Sequence, residues 1–224
     1  MTCHEVLQEL ESLGTESNRK IYKKHGVNRD SYGVSYADLE KIRKRIKKDH
    51  ALARELWESG NHDARILATM IADPKAMSSQ ELDAWAGSLV NHVEAGAFAK
   101  VVAESPLKRE KVAQWMEAEE EFVESAGWVL LAHLAMQDGD SPDGDYERYL
   151  DVIEKDIHNR RNRVRAEMNG ALIAIGGSNA RLTERALAAA AKIGKVEVDH
   201  GDTDCKTPDA AGYIRKMVER RKKK

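Results

Sequence analysis

The residues whose type and spacing most invite chemistry are three runs of cations. Lys41-Ile-Arg-Lys-Arg-Ile-Lys-Lys48 sets Lys41, Arg43, Lys44, Arg45, Lys47 and Lys48 within eight positions. Arg160, Arg161, Arg163 and Arg165 form a second run, and the stretch from Arg215 to Lys224 carries seven positives against one Glu. Clustered Lys and Arg neutralise phosphates and release the counterions condensed on a nucleic acid. The competing reading is a set of solvated helix faces balanced by nearby acids, here Glu117, Glu119, Glu120, Glu121 and Glu124. Four tryptophans can either fill a core or hold a cationic base by cation–π contact. Trp128 lies in an apolar run and reads as core; so do Trp57 and Trp115. Trp85, flanked by Ala84, Ala86 and Gly87, reads as the more accessible ring. His200, Asp202, Asp204 and Cys205 are metal-ligand types, but their spacing fits no zinc pattern. They read as a polar turn before a helix starting at Thr207-Pro208, where Lys206 and the helix N-terminus can meet a phosphate. No metal or cofactor is expected. Gly176-Gly177 lacks the preceding strand and following Lys of a phosphate loop and reads as a helix C-cap.

These side chains must be positioned by helices, because strand signals are nearly absent. Only Lys195-Val-Glu-Val198 alternates. Ser35 with Asp38, Ser78 with Glu81, and Asn61 before Ala64 look like N-caps. Ser105-Pro106 and Thr207-Pro208 place a hydroxyl before a first-turn proline. Gly14, Gly26 and Gly60 read as C-terminal stops. The punctuation predicts thirteen helices: 2–13, 16–25, 35–48, 50–59, 62–72, 79–90, 93–104, 106–117, 119–136, 145–158, 161–176, 180–193 and 208–223. Apolar residues recur at helical spacing within them, as in Val6, Leu7, Leu10 and Leu13. Helix pairs spanning about 35–45 residues have the period of HEAT-type repeats. The expected fold is therefore all-α, an α-solenoid of antiparallel helix pairs over residues 1–224, curved with a concave groove; no strict sequence repeat is visible, and the alternative is a compact irregular bundle. The Asp-rich stretch 138–145 is expected to be a loop.

Composition bounds the partners. The 224 residues carry 36 Lys+Arg and 38 Asp+Glu, a formal charge of −2, so the chain is no bulk polycation. DNA binding would have to come from a local patch. The two cysteines, Cys3 and Cys205, make no disulfide framework. No apolar run nears the roughly 18–20 residues of a membrane span, and Met-Thr-Cys-His-Glu lacks a signal-peptide pattern. A cytoplasmic monomer without membrane contact is the expectation.

Several stretches are similar to the DNA alkylation repair family, the AlkD-like HEAT-repeat alkylpurine DNA glycosylases. They are Tyr32–Leu39, Glu55–Trp57 running on through Glu58–Pro74, Val112–Trp115 with Ser125–Trp128, and the tail Ala190–Asp209. The resemblance spans about residues 16–216. It implies duplex DNA as partner and excision of N3- or N7-alkylated purines by a carboxylate that stabilises the developing oxocarbenium ion. It also implies an acid one turn after a Trp on a middle helix. Here Trp85 is followed by Leu89, Val90, Asn91 and His92, none acidic, so Trp85, Asn91 and His92 stand as the catalytic candidates facing the duplex. Glu94, nine residues after Trp85, would lie roughly half a turn away on one continuous helix. The family's Arg falls near Ser125 and its second Trp near Asn169 or Gly170. The basic runs at 41–48 and 160–165, with Lys206, would hold phosphates. The alternatives are a non-catalytic DNA-structure binder, or a scaffold whose groove is lined by acids such as Glu120 and Glu121.

Overall fold

The computed structural model describes residues 1–137 and 143–222. Its elements are α1 (Cys3–Leu13), α2 (Glu16–Lys24), α3 (Tyr36–Ile46), α4 (His50–Glu58), α5 (His62–Ile71), α6 (Ser79–Gly87) and α7 (His92–Val102). They continue with α8 (Lys108–Trp115), α9 (Glu121–Gln137), α10 (Asp143–Asp156), a 3-10 turn (Ile157–Asn159), α11 (Asn162–Ser178), α12 (Ala180–Ile193) and α13 (Ala210–Lys222). No strand forms among the described residues. The chain is all-α, as expected. Lys195–Val198 is extended but unpaired, because four alternating residues without a partner strand make no sheet.

Capping explains most boundaries. Thr2, Thr15, Ser35, Asp49, Asn61, Ser78, Asn91 and Asn179 each accept a hydrogen bond from the backbone N–H three residues on. Each satisfies one otherwise orphaned donor, at a gain of about 1 kcal/mol. The two Ser/Thr-Pro starts are corrected. Residues 105–107 form a turn and α8 begins only at Lys108. The α13 start is set by Asp209, whose Oδ2 accepts from the Gly212 N–H at 2.9 Å. Gly176 and Gly177 do not stop a helix but lie inside α11. A Cβ at Gly176 would stand 2.7 Å from Ile214 Cδ1 and 2.8 Å from Ala186 Cβ, so glycine there admits the close approach of α12 and α13. Residues 138–142 of the Asp-rich stretch, and Lys223 and Lys224, lie outside the described residues.

Packing divides the chain into two compact units: Met1–Arg109 with Gly201–Thr203, and Glu110–His200 with Asp204–Lys224. In the first, α5 is the central helix. It packs on α4, α3, α1 and α7, and every residue from His62 to Thr69 is buried. In the second, α9 and α11 form the axis, with α12 and α13 against α11 and α10 against α12. All four tryptophans are buried. No described helix is long and apolar enough to cross a membrane.

Candidate nucleic-acid interface

The launch of α3 is fixed from α5. Asp63, buried at the start of α5, accepts hydrogen bonds from the backbone N–H groups of Tyr32 (2.7 Å), Gly33 (3.0 Å) and Val34 (3.0 Å), and from the Ser31 hydroxyl (3.0 Å). A carboxylate holding four donors locks that turn. Ser35 then caps α3 and Tyr36 becomes its first residue. Tyr36, Glu40 and Arg43 follow at helical spacing and line one side of a cleft. The cleft holds about 750 Å³ within the first unit. Ile66, Thr69 and Met70 of α5 contribute to its walls, as do His92, Val93, Gly96, Ala97, Lys100 and Val101 of α7. Lys48 and Glu104 also line it.

The basic run 41–48 does not converge as a block. Arg43 and Lys48 reach the cleft. Arg43 makes a two-pronged pair with Glu40, at 2.7 and 2.6 Å; Lys48 stands 3.6 Å from Asp73. Lys41 pairs with Asp38 at 2.8 Å and Arg45 reaches Glu9 on α1. Lys44 and Lys47 are exposed and do not line the cleft. Successive residues turn by about 100° on a helix, so consecutive cations cannot share one face. Lys100, which no sequence motif marked, is exposed and lines the same cleft, where its charge also acts on Glu40.

Two of the three catalytic candidates, Trp85 and Asn91, are buried rather than open to a duplex. Trp85 is not accessible: it is 5% exposed. Its ring stacks on Trp57 at 4.1 Å with planes 3° apart, and Phe98 packs at 5.8 Å. Asn91 is 1% exposed and caps α7, its Oδ1 accepting from the Glu94 N–H at 2.9 Å. It cannot face a duplex. His92 is half-buried at the cleft. The chain leaves helical form between Gly87 and Asn91, so Glu94 sits in the first turn of a new helix. It too is removed from any surface, at 0% exposure, and held by His62 Nδ1 (3.0 Å), Arg29 Nε (3.3 Å) and Arg65 Nη1 (3.5 Å). Arg65 also lies over the Trp57 ring at 4.6 Å. This network ties α4, α5 and α7 together.

In the second unit Glu124 is buried and clamps two of the predicted phosphate ligands. Arg160 Nη1 is 2.9 Å from its Oε1 and Arg161 Nη2 is 2.8 Å from its Oε2. The backbone N–H of Arg163 donates to Glu121 Oε1 at 2.7 Å. Arg165 is half-buried, its Nε without a hydrogen-bond partner among the described residues. Asn169, where the resemblance expects a tryptophan, is buried and donates to the Pro208 carbonyl at 3.0 Å. Lys206 is exposed beside that segment and lines a separate hollow with Arg215 and Lys195. Sequence reading also passed over Glu167 on α11. Burial pushes its carboxyl up to about 7, against the opposing pull of Arg163. No His/Cys/Asp/Glu cluster among the described residues has the arrangement of a metal site.

A solved structure, described as "a new family of proteins related to the HEAT-like repeat DNA glycosylases with affinity for branched DNA structures", superposes with a TM-score of 0.90. It is 31% identical, and the match covers 98% of this chain and 95% of that one. The helix pairs therefore have the HEAT-like repeat architecture. An uncharacterised protein of Listeria innocua, Lin0241, is 31% identical over 98% of this chain and 99% of its own. Its counterpart Lmo0209 from Listeria monocytogenes is 30% identical over 99% and 100%. The model of the family described as "DNA alkylation repair enzyme" matches residues 6–213. Near-complete coverage by that model, by these relatives and by the same fold leads to one conclusion: the chain belongs to the DNA alkylation repair family.

Proposed function

We propose that this protein binds DNA at branches and unpaired sites without excising a base. The observation that carries this reading is that the side chains placed nearest the family's chemistry are consumed by packing. Trp85 is stacked on Trp57, and Asn91 is committed to a helix cap. Glu94 is locked against His62 and two arginines. A carboxylate so enclosed cannot approach a sugar to stabilise positive charge developing there. Cations remain at the surface: Lys100, Lys48 and the Glu40-paired Arg43 at the α3–α5–α7 cleft, and Lys206 in the second unit. Arg43 and Glu40 are both more than a third exposed, so solvent screens their pair and a phosphate can compete with the carboxylate for the guanidinium. The affinity for branched DNA described for the structural neighbour supports the same reading.

Two assays on one preparation test it. A labelled four-way junction and a paired duplex of equal length are titrated with protein at fixed salt. Alkylated duplex is then incubated with excess protein and released purines are counted. Tighter junction binding with no 3- or 7-methylpurine release is expected; enzymatic release, or no DNA binding, overturns the proposal.

A further inference from the structure

We propose that the α3–α5–α7 cleft takes a single unpaired nucleotide, its base stacked on Tyr36 and its phosphate held by Lys100, Arg43 and Lys48. This rests on the DNA-binding reading above and names what a branch offers that a duplex does not.

Three observations converge on it. The first is size. At about 750 Å³ the cleft lies in the range of roughly 300–1,000 Å³ typical of small-ligand sites. One nucleotide fits such a space, whereas a base pair stacked within a duplex cannot enter. The second is chemistry. Ile66, Val93, Ala97 and Val101 give apolar walls, and Arg43, Lys48 and Lys100 lie among the same lining residues, outnumbering Glu40 and Glu104. Tyr36 lines the cleft yet is 48% exposed, one of the few large hydrophobic side chains left open to solvent. Partial desolvation and the nearby Asp63 push its phenol up, and a phenol is a neutral ring at physiological pH in any case. A neutral aromatic beside cations is the arrangement that binds single-stranded nucleic acid without regard to sequence.

The third observation concerns Gly96. It lies in the interior of α7, where glycine is less favourable than alanine because it loses more backbone freedom on folding. Packing does not explain it: a Cβ at this position would meet nothing within 4 Å. The helix therefore carries a destabilising residue that opens the floor of the cleft. A ligand approaching the α7 backbone closely accounts for that choice.

The probe is a duplex carrying one bulged 2-aminopurine, compared with the fully paired duplex. Wild type should bind the bulged duplex about ten- to hundredfold more tightly and change the probe's fluorescence through stacking. Tyr36→Ala should bind both as wild type binds the paired duplex, while Tyr36→Phe should keep the preference. Gly96→Leu, whose Cβ would meet nothing within 4 Å and whose side chain favours the helix, should abolish the preference in a folded protein. Should Tyr36→Ala and Gly96→Leu both retain the preference, or wild type bind both duplexes equally, the cleft assignment is overturned while DNA binding stands. If wild type binds neither duplex nor a four-way junction, the DNA-binding reading fails as well.

Discussion

Replacing Glu94 by Gln removes a charge while keeping the side chain's shape, and the structure sets the size of the effect. Burial alone would push the Glu94 carboxyl up, but the His62 hydrogen bond, Arg29 and Arg65 outweigh it and hold it below its usual range. It is therefore ionised at neutral pH, facing two guanidiniums inside the first unit. Removing one member of a buried charged network costs about 3–5 kcal/mol, because the partners' charges stay buried. Here the lower end applies. Arg29 keeps the Ser88 carbonyl at 2.9 Å, and Arg65 keeps Ser88 and the Trp57 carbonyl. For a chain of this length each kcal/mol moves Tm by about 2–4 °C, so a loss near 3 kcal/mol lowers Tm by about 6–12 °C at pH 7. The carboxyl's folded pKa lies below its unfolded value near 4.5. Its contribution is thus complete above 4.5 and fades as pH falls through and below that value. Thermal melts followed by circular dichroism at pH 7 and near pH 4 read both features. The gap between wild type and Glu94→Gln should narrow at the lower pH. A loss under about 2 °C at pH 7, or a gap that does not narrow on acidification, refutes the network as a stabilising element.

Two further predictions follow the same logic. Gly176→Ala forces a methyl against Ile214 and Ala186 and should cost about 1–3 kcal/mol; Ile214→Val, which removes the clashing Cδ1, should recover part of that loss in a double-mutant melt. Glu167 keeps its proton up to about 7 in the fold but ionises near 4.5 when unfolded. The folded state then binds more protons between these values, so stability falls as pH rises through that window. Glu167→Gln should match wild type near pH 4 and exceed it at pH 8, by at most about 3 kcal/mol; equal stability at pH 8 would show that the carboxyl is freely hydrated.

The helices were legible because their ends are written locally. A capping oxygen and the backbone it serves lie three residues apart, and all thirteen predicted helices are found, with ends shifted by at most three residues. Long-range burial was not legible. Nothing in Ala84-Trp85-Ala86-Gly87 announces that the ring meets Trp57, 28 positions earlier. Asn91 is instructive because the signal was available: Asn followed three residues later by Glu is the pattern of a helix start. The charge runs misled for a geometric reason, since helix periodicity spreads Lys41, Arg43, Lys44 and Arg45 around the axis. Lys100 was invisible for the opposite reason, being one cation in an apolar helix, significant only because α3 and α5 stand opposite.

The most direct test of this account is the salt dependence of junction binding by wild type and by the Arg43→Ala/Lys48→Ala/Lys100→Ala protein. Each lost phosphate contact should reduce the slope of log K against log salt by about 0.7–0.9, so the triple change should flatten it by roughly 2–3. An unchanged slope and affinity would place the DNA elsewhere on the molecule and contradict the interface drawn from α3, α5 and α7.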